Sequence, residues 1–273
     1  MTKKDELFLI KVLQNRTNNL NLLLTQRALY TRAKKIVTLN FILSVVFPII
    51  FSFFTENMIV RNLSYLYSAV FVLINYFLII KISNYKNIAA EVQLRFDMNI
   101  FQLNWNTNIL GREKTNIELV NKVQLKSAEK QLVPLKDWYS LKNCNESNRY
   151  EIIKFCQKQN MVWEFGLRSS LKRAVNFLFI GVILLIIILT VISTAKITRL
   201  CSLLATFVPF FNWLKSVEMN LLADKKRNKE LKNLVSRESN QELILIIENK
   251  LTTYRKECGL IPDWFYKIYK LIN

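Results

Sequence analysis

Four runs of this chain carry no charged side chain: residues 36–55, 62–80, 174–195 and 200–214. A helix rises about 1.5 Å per residue, so the first three runs, each about 20 residues, cover the roughly 30 Å hydrocarbon core of a bilayer. They are read as spanning helices. The fourth run, about 15 residues or roughly 22 Å of helix, must borrow length from Lys196, Arg199 and Lys215, whose long stems can snorkel to the headgroups. The competing reading is a soluble bundle with very apolar core helices. Such a helix needs a polar face, and 174–195 has none. The first run lies behind a long polar segment, so it does not read as a cleaved secretory signal.

Basic residues set the orientation. Arg27, Arg32, Lys34 and Lys35 precede the first pair of runs and Lys81 and Lys86 follow it; Arg168, Lys172 and Arg173 precede the second pair, and Lys215, Lys225, Lys226, Arg227 and Lys229 follow it. The tips hold only Glu56 with Arg61 and Lys196 with Arg199. By the positive-inside rule, both termini and the middle segment are expected on the cytoplasmic side. The expected parts are an N-terminal helix (1–35), a first hairpin (36–80), a helical cytoplasmic domain (81–173), a second hairpin (174–214) and a helical tail (215–273). The net charge of +19 invites a nucleic-acid partner. Cations beside membrane spans account for much of it, each worth about 1 kcal/mol against anionic lipid, so membrane lipid is the expected partner and DNA and RNA are not.

Outside the spans the spacing is helical throughout, and the fold class is all-α. Leu7, Ile10, Leu13, Thr17, Leu20 and Leu24 predict one long helix running into the first span, which Pro48 should kink by removing a backbone donor. Ile88, Val92, Phe96, Ile100 and Leu103 extend the second span beyond the membrane, to an end at Trp105 and Asn106. A helix over 115–132 stopped by Pro134, a helix capped by Ser147, and a long tail broken near Ser239 and Asn240 follow. After Pro262, Trp264, Phe265, Ile268 and Tyr269 alternate with Lys267 and Lys270, which suits either the membrane interface or packing on the protein's own bundle. Within the spans, Asn40 with Ser44, and Ser64 with Ser68 and Asn75, share faces and are directed at other helices or at a wetted conduit.

No enzyme can be assembled from these residues. Histidine is absent, Cys144, Cys156, Cys201 and Cys258 show no CxxC spacing, and the four glycines form no phosphate-cradling loop. No cofactor is expected. The middle segment does interleave Trp105, Trp138, Tyr139 and Trp163 with Arg95, Arg112, Arg149, Lys154, Lys158 and Arg168. Aromatic rings that stack on a base, beside arginines that pair with phosphate, are how small nucleotides are held. The same tryptophans also fit the core of a helical subdomain.

The stretches QRALYTRAKKI (26–36), FQLNWN (101–106), DWY (137–139), CQKQNMVWEFGLR (156–168) and IPDWFYKIYK (261–270) fall in order along nearly the whole chain. In this they resemble the SMODS-associated four-transmembrane effector family. The resemblance implies a bacterial antiphage protein of the inner membrane, multi-pass, activated by a cyclic di- or trinucleotide from a cGAS-like nucleotidyltransferase. It implies a homo-oligomer that permeabilises the membrane and aborts infection. On that reading Trp138, Tyr139 and Trp163 are assigned to base stacking, Arg95, Arg149 and Arg168 to phosphate, and Gln157 and Asn160 to base edges. The alternative is a constitutive membrane scaffold or immunity protein that binds a partner helix and no nucleotide. A membrane-embedded enzyme ranks third.

Overall fold

The computed structural model describes residues 3–115, 117–125, 129–146, 148–192, 197–238 and 240–272, with the backbone alone at 3, 125, 129, 160–166, 270 and 272. The elements are α1 (Lys3–Gln14), α2 (Thr17–Phe41), a π-helical turn (Ile42–Val46), α3 (Phe47–Phe54), α4 (Met58–Ile100), α5 (Thr107–Leu110) and α6 (Ile117–Leu125). Two 3₁₀ turns (Glu129–Gln131, Val133–Leu135) lead to α7 (Arg149–Ile192), α8 (Ile197–Thr206), α9 (Val208–Val235), α10 (Gln241–Glu257) and α11 (Asp263–Ile272). Among the described residues there is no strand. The fold is all-α, as the periodicities predict.

Two compact units share these helices. The first comprises Met1–Arg32, Ser83–Phe165 and Asp224–Cys258; the second comprises Ala33–Ile82, Gly166–Ala223 and Gly259–Asn273. The second holds the spans. Among the described residues, three helices are long and apolar enough to cross a bilayer: Thr17–Phe54, Met58–Ile100 and Leu167–Ile192; α8 and α9 make a fourth span if the pair, bent by 51°, is counted as one. Large side chains such as Leu73, Phe77, Phe177, Val191 and Ile192 are exposed along them. Apolar surface of this extent outside the core is what lipid, not water, covers. The 51° bend falls at Phe207, two residues before Pro209, which withholds the N–H that would continue the ladder.

Pro48 acts through the turn that precedes it. The Phe47 N–H bonds the carbonyl of Ile42, five residues back, instead of that of Leu43. The donor that a π-type bond would bring to Leu43 belongs to residue 48, and proline has none. Tyr67 of α4 supplies the missing bond by donating its hydroxyl to the Leu43 carbonyl, and its ring packs on Phe47, Phe51 and Phe71. Other intramembrane polar groups also pair between helices. Asn40 Nδ2 donates to Asn75 Oδ1 at 3.0 Å, Ser64 and Thr206 hydroxyls meet at 3.1 Å, and Tyr65 donates to Ser202 Oγ at 2.6 Å. The shared polar faces read from the sequence are therefore packing contacts at these positions. Arg199 is buried in α8, its Nε and Nη1 without a partner among the described residues and its Nη2 4.0 Å from the Glu56 carboxylate.

Two expected helices differ. The N-terminal helix breaks after Gln14, because the Asn15 side chain takes the Lys11 carbonyl at 2.9 Å while the backbone tightens to Asn15 N–H to Val12 O (3.3 Å) and Arg16 N–H to Leu13 O (3.2 Å). Within the helix expected over 115–132 the described residues form α6 and a 3₁₀ turn (Glu129–Gln131), and Pro134 lies in a further 3₁₀ turn instead of directly stopping a long helix. Ser147 and Ser239 lie outside the described residues; Asn240 caps α10 by accepting the Leu243 N–H at 2.8 Å.

Tyr67→Phe should destabilise the protein by about 1 kcal/mol, since it leaves the Leu43 carbonyl unpaired. The cost should shrink in a Pro48→Ala background, where residue 48 regains a donor. Unfolding in detergent micelles of the single and double variants checks this.

Candidate functional site

The first unit closes around a charged residue. On α4, Val92, Phe96 and Ile100 turn inward, and Asp97 shares their surroundings with no exposed surface. A buried carboxylate must be met by donors. Arg255 of α10 donates from Nη1 to Asp97 Oδ2 at 3.0 Å, and the Tyr139 hydroxyl donates to Oδ1 at 2.8 Å. Tyr139 reaches this point because its backbone is gripped on both sides: Gln14 Oε1 accepts its N–H at 2.9 Å and Gln14 Nε2 donates to its carbonyl at 3.4 Å. Its ring lies against Phe96 and Phe101, with centroids 6.4 and 5.6 Å away.

A second carboxylate sits on the same face of α10, where Ile244, Glu248, Thr252 and Arg255 recur at helical spacing. Gln157 of α7 donates from Nε2 to Glu248 Oε1 at 2.9 Å and to the Ile244 carbonyl at 3.4 Å. Burial pushes the Glu248 carboxyl up to about 8, reinforced by the Asp97 charge and opposed by Arg255 and the Gln157 bond. Burial alone would lower Arg255, yet Asp97 and Glu248 outweigh it and hold the guanidinium charged. Burial, then Asp97, raises the Tyr139 hydroxyl far above its ordinary value, so it remains a donor. Burial raises the Asp97 carboxyl from its ordinary value, opposed by the Arg255 charge and by the bonds from Tyr139 and Arg255, so the cluster pairs Asp97 with Arg255 beside a protonated Glu248.

Among the described residues, Gln157 Oε1, Glu248 Oε2, Thr252 Oγ1 and Arg255 Nη2 have no hydrogen-bond partner. Three helices and one loop thus meet at one buried polar junction.

Of the residues assigned from the sequence, Tyr139 and Gln157 come together here. Arg149 serves the end of α4: it donates to the carbonyls of Phe101 (2.8 Å) and Gln102 (3.3 Å) and lies 3.6 Å from Glu6. That end is a Schellman turn, with the Gln102 N–H on Asn99 O, the Leu103 N–H on Met98 O, and Gln102 at a φ of 48°. Arg95 pairs with Glu113 at 2.7 Å. Trp138 is partly exposed. Arg168 belongs to the second unit, where it donates to the Gly259 carbonyl at 3.0 Å. The side chains of Asn160 and Trp163 lie outside the described residues. Asp97, Glu248, Thr252 and Arg255 were not assigned. Their signal was present: a charged residue inside the apolar stripe of Phe96 and Ile100, and two more in the stripe of Ile244, Ile247 and Leu251.

Two outcomes follow from the charges. Asp97→Ala strands Arg255 in the core and should cost about 3–5 kcal/mol, whereas pairing it with Arg255→Met should recover much of the loss; chemical unfolding measures both. Folded protein keeps the Glu248 proton to about pH 8, whereas solvated glutamate loses it near 4.5, so folding takes up a proton in that window. Stability should fall as pH rises from about 4.5 to about 8 and level off above. Glu248→Gln should remove that slope, as read by thermal unfolding across the same range.

A family model described as "SMODS-associating 4TM effector domain" matches residues 9–272. Among curated proteins, one from Bacillus cereus (strain VD146) described as "Probable CBASS effector molecule" is 25% identical over 186 residues, covering 65% of this chain and 60% of its own length. The matched region thus spans about three fifths of that relative. No solved structure matches the chain significantly.

Proposed function

We propose that this chain, which belongs to the SMODS-associating 4TM effector domain family, is a non-enzymatic membrane effector of bacterial antiphage defence. A cyclic di- or trinucleotide made by a cGAS-like nucleotidyltransferase binds on the cytoplasmic side of the inner membrane and biases an oligomer of the chain toward a leaky arrangement. Both termini stay cytoplasmic.

One observation carries this reading. α4 and α7 each contain an apolar span and, further along the same helix, a member of the buried cluster: Asp97 on α4 and Gln157 on α7. A ligand that alters the hydrogen bonding of the cluster acts on helices that continue as spans. Trp138, Trp163, Arg95 and Arg149 supply the stacking and phosphate chemistry such a ligand needs, while Tyr139 and Gln157 act from within the cluster. The ligand must bind the open arrangement better than the closed one; moving a 1:99 population to 99:1 takes a preference of about 10⁴.

Dye-loaded liposomes carrying the protein should leak when the correct cyclic nucleotide is added, and Asp97→Asn should shift the concentration at which leak begins. Absence of leak across a panel of cyclic di- and trinucleotides would overturn the reading.

A further inference from the structure

The last helix, α11, could have packed on the helical bundle of the first unit or at the membrane. It belongs to the second unit, with the spans. Phe265 and Ile261 are buried against Leu167 and Leu171 of α7, and Lys34 of α2 pairs with Asp263 at 2.7 Å. Trp264 lies 5.0 Å from Phe41, whose ring also meets Trp213 at 5.4 Å. Phe41 and Trp213 stand near the ends of the runs 36–55 and 200–214, so α11 begins at the depth where the spans leave the hydrocarbon.

Phe265 packs against the protein, with Trp264, Tyr266 and Tyr269 partly buried beside it. From the half-buried Trp264 an apolar strip continues through Ile268 and Leu271 at i, i+4 and i+7; Ile268 is 45% and Leu271 87% exposed. Lys267 is exposed on the next strip round the helix. Around it the second unit presents Lys35, Lys172, Arg173 and Lys215, all exposed and all at span ends. A helix that docks by one strip, bares a second apolar strip and carries a cation on the third has the chemistry of the headgroup boundary.

We infer that α11 is an interfacial lipid-binding helix: Trp264, Ile268 and Leu271 enter the boundary between headgroups and acyl chains on the basic side of the membrane unit, and Lys267 with the span-end cations holds anionic headgroups there. Two features select lipid over a second copy of the chain. The strip starts where Trp264 meets Phe41 at the level where the spans leave the hydrocarbon, and the exposed charge around it is mostly positive, with Asp263 held by Lys34, so another identical surface would be repelled. The inference rests on the four-span fold and is independent of nucleotide gating.

The test uses the full chain in a Cys201→Ser background, with a spin label on Lys267→Cys, Ile268→Cys or Leu271→Cys, in vesicles of phosphatidylcholine with or without phosphatidylglycerol. Cys144, Cys156 and Cys258 are buried and stay unlabelled. All three labelled positions are exposed, and unchanged circular dichroism verifies folding. Collision with oxygen relative to a water-soluble nickel chelate should be several-fold higher at 268 and 271 than at 267, with the contrast reduced when phosphatidylglycerol is omitted. Equal accessibility at all three positions would overturn the inference, as would dipolar broadening between labels at 271, which marks a second copy on the strip. An unchanged contrast in phosphatidylcholine alone would overturn the anionic-lipid part. Dye leak plays no role in any of these readouts, so failure here and failure of nucleotide gating are separable.

Discussion

Asp97 and Arg255 are 158 residues apart in sequence and 3.0 Å apart in the folded first unit, and neither has water to fall back on. Each charge is tolerable only because the other is present. Meeting that condition fixes much else. α10 must present Arg255 to α4, the loop after the 3₁₀ turns must deliver the Tyr139 hydroxyl, and Gln14 must clamp the backbone that carries it. Glu248 enters the same space and avoids a second uncompensated negative charge by keeping its proton. A hydrophobic core of equal volume would hold the helices together at lower electrostatic cost, so the pair specifies an arrangement more than it strengthens one.

In the second unit the ruling constraint is that no backbone group can be left unpaired in hydrocarbon. Pro48 breaks that rule locally, the π-helical turn moves the defect to the Leu43 carbonyl, and Tyr67 repairs it from another helix. The repair ties two neighbouring helices at one point. Pro209 produces a different result: with α8 and α9 bent by 51°, the last span remains a broken one. Arg199 adds a buried charge to the same segment. The first hairpin is therefore internally repaired at Pro48, and the second carries the bend and the buried Arg199.

Several features were legible in the sequence because they depend on local spacing. The apolar runs, the continuation of the second span beyond its apolar run, the breaks at Asn240 and Pro262 and the all-α class follow from hydrophobic period, proline and capping residues, whereas the helix expected to reach Trp105 and Asn106 ends at Ile100 in a Schellman turn. The break at Asn15 was not legible, because the Asn15 side chain chooses between solvent and the Lys11 carbonyl partly through its contact with Asp137, 122 residues away. The assigned arginines show the same limit. Composition marked Arg95 and Arg149 as cations beside aromatics, and folding gave them Glu113 and the carbonyl end of α4 as partners.

By itself the sequence determined that this protein lives in a bilayer, where its apolar runs lie, and which residues lie at the edges of those runs. These are properties of contiguous residues, set by the transfer of each side chain from water to hydrocarbon. Only the tertiary structure decided that Asp97, Tyr139, Gln157, Glu248 and Arg255 share one buried junction, and that α11 packs with the spans and not with the bundle. Those outcomes depend on which buried charge finds which partner and on which apolar strip is already covered, and no short stretch of sequence contains both sides of such a contact.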